Sequence, residues 1–248
     1  MARMEMVSVS GGVVSLHDAR RKRRWAVELQ PFEIGKFPVT AHQLGALSGG
    51  KPGAGPQHPA VSVSWIDAIE LCNAASKSYG LAPSYVVHGT DVRWTVCAEG
   101  FRLPTEAEWE FACRAGSSTP HYGPLPEAAW TSHDRVSSPQ PVGLKLPNEL
   151  GLFDTLGNVW EWCWNLLDPA RYNDYRVFRG GGFADPSWSV RASARRGGAP
   201  GTRLDDVGFR VARGGFRCVD EAQGWSAAED HERAAGQGLL PFGWTPLR

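Results

Sequence analysis

PNELGLFDTLGNVWEW, residues 147–162, runs from a turn-rich segment straight into an aromatic strand. Trp160, Trp162 and Trp164 alternate, and on a strand alternation places the three indoles on one face. Three large apolar rings on one face read as core rather than as a stacking platform. Just upstream, the carboxylates of Asp154 and Glu161, with the carbonyls of Gly157 and Val159 between them, offer hard oxygen donors within one compact loop. The same two carboxylates could equally cap turns or pair with arginines.

Working outward, FRLPTEAEWEFACRAG (101–116) places Thr105 and Glu108 at the spacing of a capping box after Pro104, with Gly116 as the stop. This predicts a helix that buries Trp109, Ala112 and Cys113. HPAVSVSWIDAIELCN (58–73) predicts a second helix, opened by Ser64 with Asp67 and burying Trp65, Ile69 and Cys72 at i, i+4 and i+7. A short helical stretch is expected after Thr40, and SGGKPGAGPQHPA reads as a Gly/Pro loop. The runs VSVSGGVVSL and WAVELQPFEI alternate as an early hairpin over residues 6–34, whose connection carries Arg20, Arg21, Lys22, Arg23 and Arg24. Beyond 116 the chain reads as short strands and loops, with RVFRGGGF and VGFRVAR among its ordered pieces. Gly180, Gly181 and Gly182 lack the following helix and Lys-Ser/Thr of a phosphate loop, so they read as a tight strand turn. Residues 214–248 read as an extension packed on the domain, with one helix over Ser226–Ala235 and LLPFGWTPLR lying across it.

Composition excludes several classes of function. The 248 residues, 42% hydrophobic, suffice for one large core. Lys plus Arg and Asp plus Glu number 26 each, so no global field favours nucleic acid or an anionic membrane. The basic run on the hairpin reads as solvated. No apolar run is long enough to span a bilayer, and the first residues are too broken for a secretion signal. Five cysteines (Cys72, Cys97, Cys113, Cys163 and Cys218), odd in number and without CxxC pairs, fit a reduced compartment. A cytoplasmic location is expected. Gly 29, Pro 18 and Trp 11 point to a loop-rich fold packed by aromatic side chains.

The stretches 58–73, 101–116 and 147–162, followed by RVFRGGGF and VGFRVAR, together resemble the formylglycine-generating-enzyme, or sulfatase-modifying-factor, superfamily. The resemblance covers roughly residues 6–213. It implies an α+β, loop-rich C-type-lectin-like fold with two main helices and short antiparallel strands. In the founding enzymes two cysteines after the RGGS motif hold copper, and laying that motif on RGGGFADPSWSV puts Asp185 and Val190 at those positions. A carboxylate and an isopropyl group cannot make a soft copper(I) site. Formylglycine generation is therefore not expected, nor is copper. The resemblance also implies a structural calcium on Asp154, Gly157, Val159 and Glu161, and all-oxygen ligation suits that ion.

Arg102, Arg191 and Arg210 recur inside the motifs and read as scaffold residues, while Cys163 and Cys218 read as small buried hydrophobes as readily as nucleophiles. The stretch 184–206 differs. Between framework residues Arg191, Arg195, Pro200 and Arg203 stand Ala184, Asp185, Ser187, Trp188, Ser189, Ala194, Arg196, Gly198, Ala199, Thr202, Leu204, Asp205 and Asp206, which show no apolar period. They read as exposed loops that bind a protein or small-molecule ligand. The stretch resembles the variable region of retroelement-diversified proteins, in which Lys, Glu, Gln and Met cannot arise, and none of the four occurs here. The function expected is a non-enzymatic ligand-binding scaffold of the diversified kind. Two alternatives stand beside it: a metal-dependent oxidoreductase of the same superfamily, although the seven histidines show no HxH or HxxxH spacing, and an accessory domain that binds another subunit.

Overall fold

Three of the helices begin where the sequence supplies a hydroxyl and, three residues on, a side chain that reaches back. The computed structural model describes residues 3–18, 22–49, 55, 57–217 and 220–235. Strands β1 (Met6–Val9), β2 (Gly12–Asp18), β3 (Arg23–Leu29) and β4 (Phe32–Gly35) precede α1 (Ala41–Ser48) and α2 (Trp65–Ser78). Then follow β5 (Tyr85–His88), β6 (Asp91–Trp94), β7 (Phe101–Arg102), α3 (Glu106–Arg114) and α4 (Leu125–Ala128). Thr40, Ser64 and Thr105 cap α1, α2 and α3, each accepting from the N3 amide while Gln43, Asp67 or Glu108 returns to the cap amide. A left-handed Ala115 ends α3, one residue before the expected Gly116.

The C-terminal half supplies β8 (Trp160–Leu166), α5 (Pro169–Tyr172), β9 (Arg176–Arg179), β10 (Arg195–Gly198), β11 (Val207–Gly208) and β12 (Ala212–Arg213). After these come β13 (Glu221–Ala222), β14 (Trp225–Ser226) and α6 (Ala227–Ala235). One four-stranded sheet has the order β1-β4-β12-β7, the other β10-β9-β8-β11. The fold is thus the expected α+β, C-type-lectin-like arrangement, with one departure: β11 pairs with β8 in parallel, Val207 opposite Trp160.

The early hairpin forms but splits. Its inner halves pair as β2 and β3, Gly12 opposite Leu29, whereas its outer halves β1 and β4 join β12 in the first sheet. Arg23 and Arg24 belong to strand β3, opposite Asp18 and His17, and Arg20 and Arg21 lie outside the described residues. Part of the Gly/Pro loop, Cys218 and LLPFGWTPLR also lie outside them.

The main core gathers Trp65, Ile69 and Cys72 of α2 with Trp160, Trp162 and Trp164 of β8. A second cluster joins Trp109 and Cys113 of α3 to Cys163, Val177 and Val190. Strand β8 is therefore covered on both faces. Burial pushes the Cys113 thiol up to about 12 and also raises those of Cys72 and Cys163, as expected of packing residues rather than nucleophiles. Trp225, beyond residue 213, packs against Trp94 and Trp164, and Gln223 bonds Gln30 and Glu108.

Candidate functional site

The stretch 184–206 is strand β10 with the two loops that flank it, one joining β9 to β10 and the other β10 to β11, so Arg196 and Gly198, expected on loops, stand on a strand. Gly180 and Gly181 have φ near +102° and +90°, and a Cβ on Gly181 would stand 2.8 Å from Val190 Cγ2. Only glycine fits that turn without displacing the loop it carries. At its exit, Asp185 accepts from the Trp160 indole N–H at 2.6 Å and from the Gly182 amide at 2.9 Å, and its other oxygen pairs with Arg196 at 2.9 Å. Arg196 also lies over the Trp160 ring and donates to Ser189 Oγ. Asp206 sits beside Gly182, and its carboxyl is raised by burial and by the nearby Asp185 and Asp205 charges.

Neighbouring loops brace this surface. The Ser132 amide donates to the Asp185 carbonyl, the Phe183 amide to Asn158, and the Ser62 amide to Leu204. His121 contacts the Val190 carbonyl through Nε2.

Ala184, Ser187, Trp188, Arg196, Leu204 and Asp205 are exposed, and Ala199, Thr202 and Asp206 are half-buried. Asp185, Ser189, Ala194 and Gly198 are buried, which corrects their reading as loop surface. The physical reason for Asp185 is the carboxylate's bonds to Trp160 and Gly182; a Gly198 Cβ would meet the Trp162 ring at 3.4 Å. Arg191 is also corrected, since it is exposed rather than structural.

The other two motif arginines are fully buried. Arg102 forks onto Glu108 with two 2.7 Å bonds, and Arg210 forks onto Glu161 while donating to the carbonyls of Gly35 and Phe153. Two structural arginines escaped the sequence reading. Arg179 bridges Glu106 and Glu110 and donates to the Ala194 carbonyl, and Arg176 lies over the Trp65 and Trp164 rings. Both stand in or beside quoted motifs, but their partners lie far away in sequence.

The 154–161 loop is the second candidate. Asp154, only 2% exposed, accepts from the Gly143 amide at 2.7 Å and has a long 3.5 Å contact from Asn158 Nδ2. Burial pushes its carboxyl up to about 6. Glu161 accepts from Arg210 and from the Trp109 indole, so its charge is already matched. Together Asp154, Glu161 and Arg210 carry one net negative charge in a buried place, which fits a bound cation better at Asp154 than at Glu161. Among the described residues no three His, Cys, Asp or Glu side chains gather as a metal site, so carbonyls such as those of Gly157 and Val159 would have to complete the shell.

Residues 2–214 match the sulfatase-modifying factor enzyme 1-like domain. The chain belongs to that family. It is similar to the chaperone protein LppX of Paenibacillus barcinonensis, with 31% identity over 72% of this chain and 78% of that protein. A formylglycine-generating enzyme of Streptomyces coelicolor is 32% identical over 63% of this chain and 53% of its own length. The chain thus spans about half of the formylglycine-generating relatives it matches. Among solved structures, Treponema denticola variable protein 1 superposes with a TM-score of 0.77 at 29% identity, covering 84% of this chain and 94% of that one.

Proposed function

We infer that this chain is a non-enzymatic scaffold of the family whose 184–206 loops present a surface for a protein or small-molecule ligand. One observation carries the reading: the positions that the enzymes' copper thiolates would occupy hold Asp185, engaged by Trp160, Gly182 and Arg196, and a fully buried Val190. Neither side chain supplies the soft sulfur ligand that copper(I) requires. The accessible residues of 184–206 ride on a glycine turn and a buried aspartate, the arrangement of variable loops on a fixed frame. The names of a chaperone and of a variable protein among its relatives agree with binding, and the absence of Lys, Glu, Gln and Met from 184–206 agrees with diversification at positions other than Trp188, whose codon lies outside the set that such mutation can reach. A calcium ion would be held chiefly by Asp154 and the carbonyls of Gly157 and Val159, with Glu161 beside it already engaged by Arg210, and its charge would stabilise the loop that carries strand β8.

The test is chemical. Full-length protein supplied with copper, oxygen and a thiol reductant is incubated with a cysteine peptide of the sulfatase type. Aldehyde should stay at the level of a no-protein control, and aldehyde clearly above it would overturn the reading.

A further inference from the structure

Large apolar side chains exposed singly are ordinary; gathered, they mark contact surfaces. Among the described residues these are Val13, Tyr79, Leu144, Leu146, Trp188 and Leu204. Val13 and Tyr79 stand on the hairpin and at the end of α2, whereas the other four fall on loops linked by bonds or close contacts to the Gly182–Asp185 turn. Lys145, between the two leucines, pairs with Asp134 at 2.8 Å and lies 4.2 Å from the Trp130 ring. The turn holding Asp134 reaches the Asp185 carbonyl through the Ser132 amide at 3.0 Å. Asp185 precedes Trp188 by three residues, and Asp206 beside Gly182 follows Leu204 by two.

Shape decides the kind of partner. Small-molecule sites are concave and enclose most of the ligand. Trp188 is 73% exposed, Leu144 62% and Leu146 51%, so these side chains enclose nothing and the recess must come from the other molecule. Charge narrows it further. Asp185 is matched by Arg196 and Lys145 by Asp134, whereas no ion pair engages Asp205 or Asp206 among the described residues. Arg203, next to Leu204, is itself matched by Asp67, which leaves Asp205 and Asp206 as the unmatched charges beside Leu204, while Arg191 is exposed elsewhere on the same stretch.

We propose that the 184–206 face, extended by Leu144 and Leu146, docks a protein whose apolar recess takes the Trp188 indole and whose lysine or arginine meets Asp205 and Asp206. This rests on the reading that the 184–206 loops bind. An aromatic side chain inserted into a partner's pocket is the usual energetic centre of such a contact, and the flanking charges set orientation and salt dependence.

The probe is a phage-displayed library of one small folded domain, selected on the immobilised full-length chain at about 0.15 M salt, where surface charges still act over ~8 Å. Dominant binders should carry a surplus of Lys and Arg beside apolar residues. Trp188→Ala should weaken them about thirtyfold or more, and L144S/L146S should weaken them as well. D205N/D206N should weaken them and flatten their salt dependence. Val13→Ala should leave them unchanged, and equal melting of Trp188→Ala and parent confirms that the variant is folded. Binders indifferent to Trp188→Ala and L144S/L146S but lost on Ser187→Lys or Thr202→Lys would overturn this partner chemistry and leave the binding face standing. Binders indifferent to all of these substitutions, or no binder at all, would sink both. A dimer of the chain alone that Trp188→Ala dissociates would make the occupant a second copy and overturn the proposal.

Discussion

Arg210 and Arg191 come from the same motif-rich third of the chain, and their surroundings have nothing in common. Arg210 holds both oxygens of Glu161 and two carbonyls from a buried position, whereas Arg191 stands in solvent. Arg210→Met would leave a buried carboxylate without its cation, a loss of about 3–5 kcal/mol, while Arg191→Ala should stay within about 0.5 kcal/mol. Asp185→Ala strands the Trp160 indole N–H and the Gly182 amide, so it should lower stability by about 1–3 kcal/mol. Ser187→Ala, two residues away and exposed, should be near neutral. Chemical denaturation of the four variants checks the order, and an Asp185→Ala as mild as Ser187→Ala would contradict the bonds described. What was legible here followed sequence distance. Glu161 was visible as a carboxylate in need of a partner because it lies inside a compact motif. Asp185 was misread because Ala184, Ser187 and Ser189 around it are small or polar, and the indole that holds it is 25 residues upstream.

Helix α3 shows how one element joins distant strands through charge. Glu106, Glu108 and Glu110 are all buried, and each meets arginine: Arg195 and Arg179, Arg102, and Arg114 and Arg179 respectively. Its start was readable from Thr105 and Glu108, because a capping box is complete within four residues. Its role as a hub was not, since the Arg179–Glu110 pair spans 69 residues. Burial alone would raise the Glu106 carboxyl, but Arg195 and Arg179 outweigh it and hold the group below its ordinary 4.5. A carboxylate lowered in the folded state stabilises above the unfolded value, and that stabilisation is lost as pH falls through the lowered one. Glu106→Gln should therefore be less stable than the parent at neutral pH, with the gap narrowing below about pH 4.5. Denaturation midpoints from pH 7 to pH 3 test this, and a constant gap would show that the ion pairs contribute no linkage.

At the scale of the molecule, periodicity and turn signals foretold loop-rich packing, and the motif order foretold the lectin-like frame. The division of the early hairpin between two pairings was not legible, because β12, which recruits its outer strand, lies some 180 residues downstream. A cation at 154–161 would act on the whole fold, because a ligand of the native state raises its stability by mass action. Melting in excess calcium should exceed melting in chelator, and Asp154→Asn should abolish the difference. Identical melting of the parent in both would remove the ion from the account. The order β10-β9-β8-β11 also sets a mechanical limit. Strands β10 and β11 lie at opposite edges of their sheet and Val207 stands about four residues back along the strands from the level of Gly198, so the segment between them must cross about 14 Å sideways and about 13 Å lengthwise, a straight span of about 19 Å. From Gly198 to Val207 there are nine backbone steps, which reach about 30 Å at full stretch. Roughly a third of that reach is slack. The segment can therefore change its letters freely at the exposed positions and lengthen without strain, but losing more than about three residues would draw it taut across the sheet and pull the parallel Val207–Trp160 pairing out of register.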